Sequence, residues 1–159
     1  MTPLKTAFIA VIILANSLSG QSGSQELSES DLNQIESEIL QVMDTVLAAA
    51  GRADAESMFR VIAEEGTLIR NGELYLSKKD AFHFYQQAYQ RVEKVEYRFD
   101  HRKILVLSKE AVLLILNGES ILTTVDNRIF KTPFAQTMVF ERARNDWKVL
   151  HTHVSVQSD

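Results

Sequence analysis

The chain has 159 residues, 45% of them hydrophobic and 24% charged, which suits one ordinary globular domain and leaves little for a second. A formal net charge of -4, with no long basic run, gives no electrostatic footprint for nucleic acid. With no cysteine, the chain has no disulfide, thiolate metal site, cysteine nucleophile or lipid-bearing cysteine, so stability must come from the core alone.

Residues 1–20 read as a cleavable signal peptide rather than as part of the fold. Lys5 gives a short positive start, Ala7 to Ala15 is an unbroken apolar run of nine residues, and small residues follow at Ser17, Ser19 and Gly20. A membrane span needs roughly 20 apolar residues. The expected mature form is therefore secreted or periplasmic, with no membrane attachment after cleavage. Residues 21–30 are rich in Ser, Gln and Glu and read as a flexible lead-in. The folded domain is expected over 31–157.

From Asp31 the spacing is helical: Leu32, Ile35, Ile39, Val42 or Met43, and Val46 recur every three or four residues. Ser30 or Asp31 is placed to cap the start, and Gly51 to close the end in a left-handed conformation. A shorter helix capped by Asp54 carries Met58, Phe59, Val61 and Ile62 and is expected to stop at Gly66. The period then changes. Thr67 to Arg70 and Glu73 to Leu76 flank Asn71-Gly72, whose tolerance of positive φ suits a tight primed turn. Ser77, with Asp80 three residues on, caps a third helix running to about Arg91, with Ala81, Phe82, Tyr85, Ala88 and Tyr89 on one side.

Everything after Val92 reads as strand. Val95, Tyr97 and Phe99 alternate with charged residues, and Ile104 to Leu107 and Ala111 to Leu116 flank Ser108-Lys109-Glu110. Gly118 predicts a bulge or bend. Pro133 fits a strand start, and the last two strands, Phe134 to Arg142 and Trp147 to Gln157, meet around an Asn145-Asp146 turn. With an even loop, pairing keeps parity: Gln136, Met138 and Phe140 share the inner face with Trp147, Val149, His151, His153 and Ser155. Thr137, Val139, Leu150, Thr152, Val154 and Val156 then form the other face, apolar enough to be covered by another subunit. An odd loop splits this grouping.

Helix, helix, small hairpin, helix and a four-strand meander resembles the NTF2-like (SnoaL-like) superfamily over about Leu32 to Ser155. The closing stretch Gln136 to Phe140 through Trp147 to Ser155, a tryptophan followed by H-x-H-x-S, is similar to the SnoaL-like members and to the association domain of calcium/calmodulin-dependent kinase II. The resemblance implies an α+β cone-shaped barrel, its three N-terminal helices packed in a curled, mainly antiparallel sheet. It also implies a pocket at the wide end and a homodimer formed through the outer sheet face. It does not fix one activity, because this fold hosts isomerases, dehydratases, cyclases and non-catalytic modules. Arginines that line the kinase association-domain pocket fall at Gly118 and Met138 here and are absent. An isomerase-like member needs a carboxylate base, and the turn after the second helix offers only Glu64 and Glu65, which read as solvated.

The candidate catalytic residues are His151 and His153, each able to act as a base or to orient a ligand carbonyl near neutral pH, or else to be held structurally by neighbouring strands. The expected ligand pocket comprises Tyr85, Tyr89, Gln136, Met138, Phe140, Trp147, His151 and His153. Tyrosines at helical spacing are more often core than pocket, and Trp147, at the start of the last strand, reads first as a structural residue closing the barrel end. His83 and His101 read as surface residues, as does Arg98, a cation on a strand face. No cofactor is expected, and no metal site, because two histidines on one strand lack a third ligand. Two functions follow. In one, the chain is an exported module that binds a small, mostly apolar molecule, self-assembles, or does both, without catalysis. In the other, it is a cofactor-independent isomerase or lyase acting on a small carbonyl or polycyclic compound with a histidine base.

Overall fold

In a computed structural model, residues 27–157 are described. The expected signal peptide, 1–20, and most of the expected lead-in, 21–30, lie outside them. The first helix, α1 (Glu29–Ala50), starts earlier than the sequence pattern places it, because Ser28 forms a full capping box: its hydroxyl accepts from the Asp31 amide at 3.1 Å and Asp31 returns a bond to the Ser28 amide. Ile35, Ile39 and Met43 form its buried stripe. Gly51 at the end is right-handed (φ -57), and the left-handed residue is Ala53 (φ 52).

Asp54 caps α2 (Ala55–Phe59), which is a single turn rather than a helix reaching Gly66. The β-branched pair Val61-Ile62 turns extended, and the Val61 carbonyl accepts from the Val149 amide at 2.8 Å. Strand β1 (Ile62–Arg70) follows, then Asn71-Gly72 with φ of 50 and 85, then β2 (Glu73–Tyr75), as the primed turn requires. Ser77 caps α3 (Lys78–Tyr89).

The remaining chain makes β3 (Val92–Ser108), β4 (Ala111–Thr124), β5 (Ile129–Ala143) and β6 (Asp146–Val156). The sheet order is β2-β1-β6-β5-β4-β3, antiparallel except where β1 runs parallel to β6. The sheet curls without closing, and the helices fill its hollow. Phe140, Val112, Leu114 and Val149 from the sheet bury fully against Ile39 of α1. None of the described helices is long and apolar enough to cross a membrane.

Two sequence expectations about the strands are corrected. Pro133 lies inside β5, paired with Glu119, rather than at its start. A strand residue's N and O point to the same side, and the Pro133 carbonyl accepts from Gln157, where β6 ends. The bond that proline forgoes is the reciprocal one to the Gln157 carbonyl, a single rung one residue past the end of β6. The closing turn is Arg144-Asn145, an even loop, with Arg144 at φ 61. Parity nevertheless fails, because β6 bulges at Leu150.

Candidate functional site

The β6 bulge decides which residues face the cone's interior. Phe140 pairs with Val149, but one residue further along Val139 pairs with His151, leaving Leu150 unpaired. An extra residue on one strand of a period-2 ladder exchanges the two faces beyond it. Trp147 and Val149 therefore point inward before the bulge, and Thr152, Val154 and Val156 point inward after it. His151 and His153 face outward beside Val139 and Thr137, contrary to the parity expectation. His153 is exposed. His151 shares a 2.7 Å hydrogen bond between its Nδ1 and Thr67 Oγ1, tying β6 to β1 on the outer side. The other two histidines are also exposed, with His101 Nδ1 3.2 Å from Asn117 Oδ1. Arg98, Glu64 and Glu65 are exposed as well, and Lys78 pairs with Glu64.

The interior holds a cavity of about 200 Å³ between α1, α3 and the concave sheet. Its apolar wall includes Met43, Val46, Met58, Val95, Phe99, Leu122, Phe134, Met138 and Val154. Of the expected pocket residues, Tyr85, Tyr89, Gln136 and Met138 line it. Phe140 and Trp147 are core residues away from it, buried to 0% and 5% exposure. A smaller cavity of about 70 Å³ adjoins it, sharing Tyr85, Gln136 and Met138 and adding Thr152.

The cavity's polar groups are Arg70, Tyr85, Tyr89, Tyr97, Ser120 and Gln136, with no histidine, aspartate or glutamate among the described lining residues. Burial pushes the phenols of Tyr85, Tyr89 and Tyr97 well above the ordinary tyrosine value, and the nearby Arg70 cation only partly offsets this. All three stay protonated at neutral pH and so are able to donate hydrogen bonds. Each ring is partly buried and lines the cavity. Tyr89 donates weakly to Met58 Sδ at 3.7 Å. Tyr97 stacks parallel to Phe99, and both meet Phe134 edge-on at 5.8 and 6.2 Å, giving an aromatic wall.

Arg70, Tyr97 and Ser120 went unrecognised in the sequence. A parity signal existed for two of them. Arg70 lies two residues beyond buried Leu68, and Tyr97 lies between Val95 and Phe99, each on the inward set of its strand. Ser120 had no comparable signal, because the strand pattern is interrupted at Gly118. Among the described residues no three metal-capable side chains gather in one place.

A curled, unclosed sheet with N-terminal helices packed in its hollow is the NTF2-like fold. The family model of the SnoaL-like domain matches residues 39–159, and the chain belongs to that family. Its members bind small molecules or act as isomerases and dehydrochlorinases. Among solved structures it is similar to a candidate calcium/calmodulin dependent protein kinase II association domain from Xanthomonas campestris (17% identity, 77% of this chain and 87% of that one, TM-score 0.68). It is also similar to the hexachlorocyclohexane dehydrochlorinase LinA-type3 from Novosphingobium barchaimii (13%, 82% and 92%, 0.70). An NTF2-like superfamily protein from Salmonella enterica serovar Typhimurium is equally close in shape (15%, 80% and 94%, 0.70). At these identities the likeness establishes the fold alone. No curated protein sequence matches the chain.

Proposed function

We propose that this chain is an exported SnoaL-like domain that holds a small, mostly apolar molecule in its cone and pairs with a second copy, without catalysis. The observation that carries the binding reading is the cavity itself: a wall of Met, Val, Leu, Phe and Tyr with a few convergent polar groups. An isomerase or lyase reading needs a base beside the ligand, and the described lining offers neither imidazole nor carboxylate. Narrowing the cavity tests the binding reading. Leu122→Trp, at a half-buried lining position, is expected to leave the fold intact and to lose a small molecule that mass spectrometry finds on the purified wild-type protein. Wild-type protein that neither carries such a molecule nor takes up an apolar probe would refute it.

Export rests on the apolar run and small residues of 1–20. Cell fractionation should place the protein, shortened near residue 20, outside the cytoplasm. Self-association rests on the outer sheet face, where Leu105, Leu113 and Val139 lie side by side and Ile115 next to them is 41% exposed. Ile115→Lys is expected to convert a dimer to a monomer in sedimentation velocity. A wild-type protein that sediments as a monomer at micromolar concentration would end that reading.

A further inference from the structure

The polar groups of the cavity are not scattered. The Arg70 guanidinium acts electrostatically on the hydroxyls of Tyr85, Tyr89 and Tyr97, and all four residues line the same cavity. Arg70 sits partly buried at the C-terminal end of β1, with its guanidinium carbon 6.0 Å from the centre of the Phe84 ring. It forms no ion pair among the described residues. A partly buried guanidinium without a carboxylate is costly to keep, because desolvation is not offset by an opposite charge. Glu73 lies opposite Arg70 in the β1-β2 hairpin, but its carboxylate accepts from the Tyr75 hydroxyl at 2.7 Å and forms no ion pair with Arg70, and the phenols in the cavity are neutral and act as further donors. The cluster is thus one cation with several hydrogen-bond donors at one end of an apolar chamber.

Resting on the binding reading above, we propose that the cavity takes a monocarboxylate with a flat, apolar body, its head on Arg70 and the tyrosine hydroxyls and its body against the Tyr97, Phe99 and Phe134 wall. A carboxylate fits the planar guanidinium fork through two parallel hydrogen bonds, leaving its remaining lone pairs for the phenols. One cation matches one negative charge, so a phosphate dianion would enter undercompensated. The aromatic wall favours a planar body through edge-to-face and offset contacts.

Isothermal titration calorimetry at neutral pH with two matched pairs tests this: naphthoate against naphthylmethanol, and decanoate against decanol. Wild-type protein is expected to bind the better acid about tenfold or more tightly than its alcohol, the size of a charge-assisted bidentate contact. In Arg70→Met that preference should fall to about one, with the alcohol's affinity nearly unchanged. Tyr97→Phe, which keeps the ring, should reduce the preference by a smaller factor. Equal affinity for acid and alcohol in the wild type would overturn the anionic head while leaving the apolar cavity reading standing, and binding of neither would overturn both. An acid preference surviving Arg70→Met would place the head elsewhere and equally overturn the assignment. Should Arg70→Met fail to fold, the wild-type ratio and the Tyr97→Phe ratio still decide.

Discussion

Gly118→Ala is expected to destabilise the domain by about 3 kcal/mol or more, a drop in melting temperature of about 10 °C for a chain of this size. A methyl group built on Gly118 would stand 1.9 Å from the Arg98 carbonyl oxygen and 2.9 Å from the Phe99 Cα, and these are backbone atoms with nowhere to move. The cause is contact rather than conformation, because Gly118 is not among the positive-φ residues. The crowding arises because β3 bulges at this point: Phe99 pairs with Gly118 and His101 with Asn117, leaving Asp100 extra. Tyr97 and Phe99, immediately before the bulge, line the cavity wall. Gly72→Ala is the control. Gly72 has φ 85 and nothing within 4 Å of an added methyl, so its cost is the conformational one of about 1 kcal/mol. Thermal melts of the two variants should separate clearly. Equal losses would show that the crowding at Gly118 relaxes freely. Gly118→Ala should also weaken binding of any apolar probe, since the bulge adjoins the wall.

Elements whose local chemistry and global role agree are legible in this sequence. Asn71-Gly72 adopts the positive φ pair its side chains favour, Ser77 and Asp80 cap α3, and the period-2 runs of β3 and β4 point Val95, Tyr97, Val112 and Leu114 inward. What was illegible lies where long-range pairing overrides local pattern. Val61 and Ile62 continue a helical stripe but are drawn into the sheet by β6. Pro133 looks like a strand start and is tolerated in mid-strand only because the neighbouring strand ends beside it. The bulge at Leu150 leaves no mark in composition or loop length, yet it exchanges the faces of β6 and moves both candidate histidines from the cavity to the outer surface. The site was therefore half legible. Tyr85, Tyr89, Gln136 and Met138 depend on elements without a bulge between them and the turn that sets their register, whereas His151 and His153 lie beyond one.

The junction of α1 with the last hairpin depends on one carboxylate. Glu38 of α1 accepts from the Trp147 indole Nε1 at 2.8 Å and pairs with Arg142, whose guanidinium lies 4.6 Å over the Trp147 ring. The three residues pin the first helix to the last hairpin across more than a hundred positions of sequence. Removing the carboxylate would leave the indole N–H and the guanidinium, whose Nε already lacks a partner, without their acceptor. Glu38→Ala is expected to cost about 2 kcal/mol, a figure held down because the Glu38 and Arg142 side chains remain 28% and 27% exposed. Glu38→Gln keeps an acceptor for the indole and should cost less. The indole N–H bond, then bonds from Gln34 and Arg142, hold the Glu38 carboxyl below its ordinary value of 4.5 against the opposing effect of burial. A carboxyl lowered in the folded state binds its proton more readily in the unfolded one, so its contribution is fully present above 4.5 and fades as the pH falls through the lower folded value. The melting-temperature gap between wild type and Glu38→Gln should therefore be widest at neutral pH and close on acidification below 4.5. A gap that is constant across that range would assign the loss to packing and refute the ionic account of this junction.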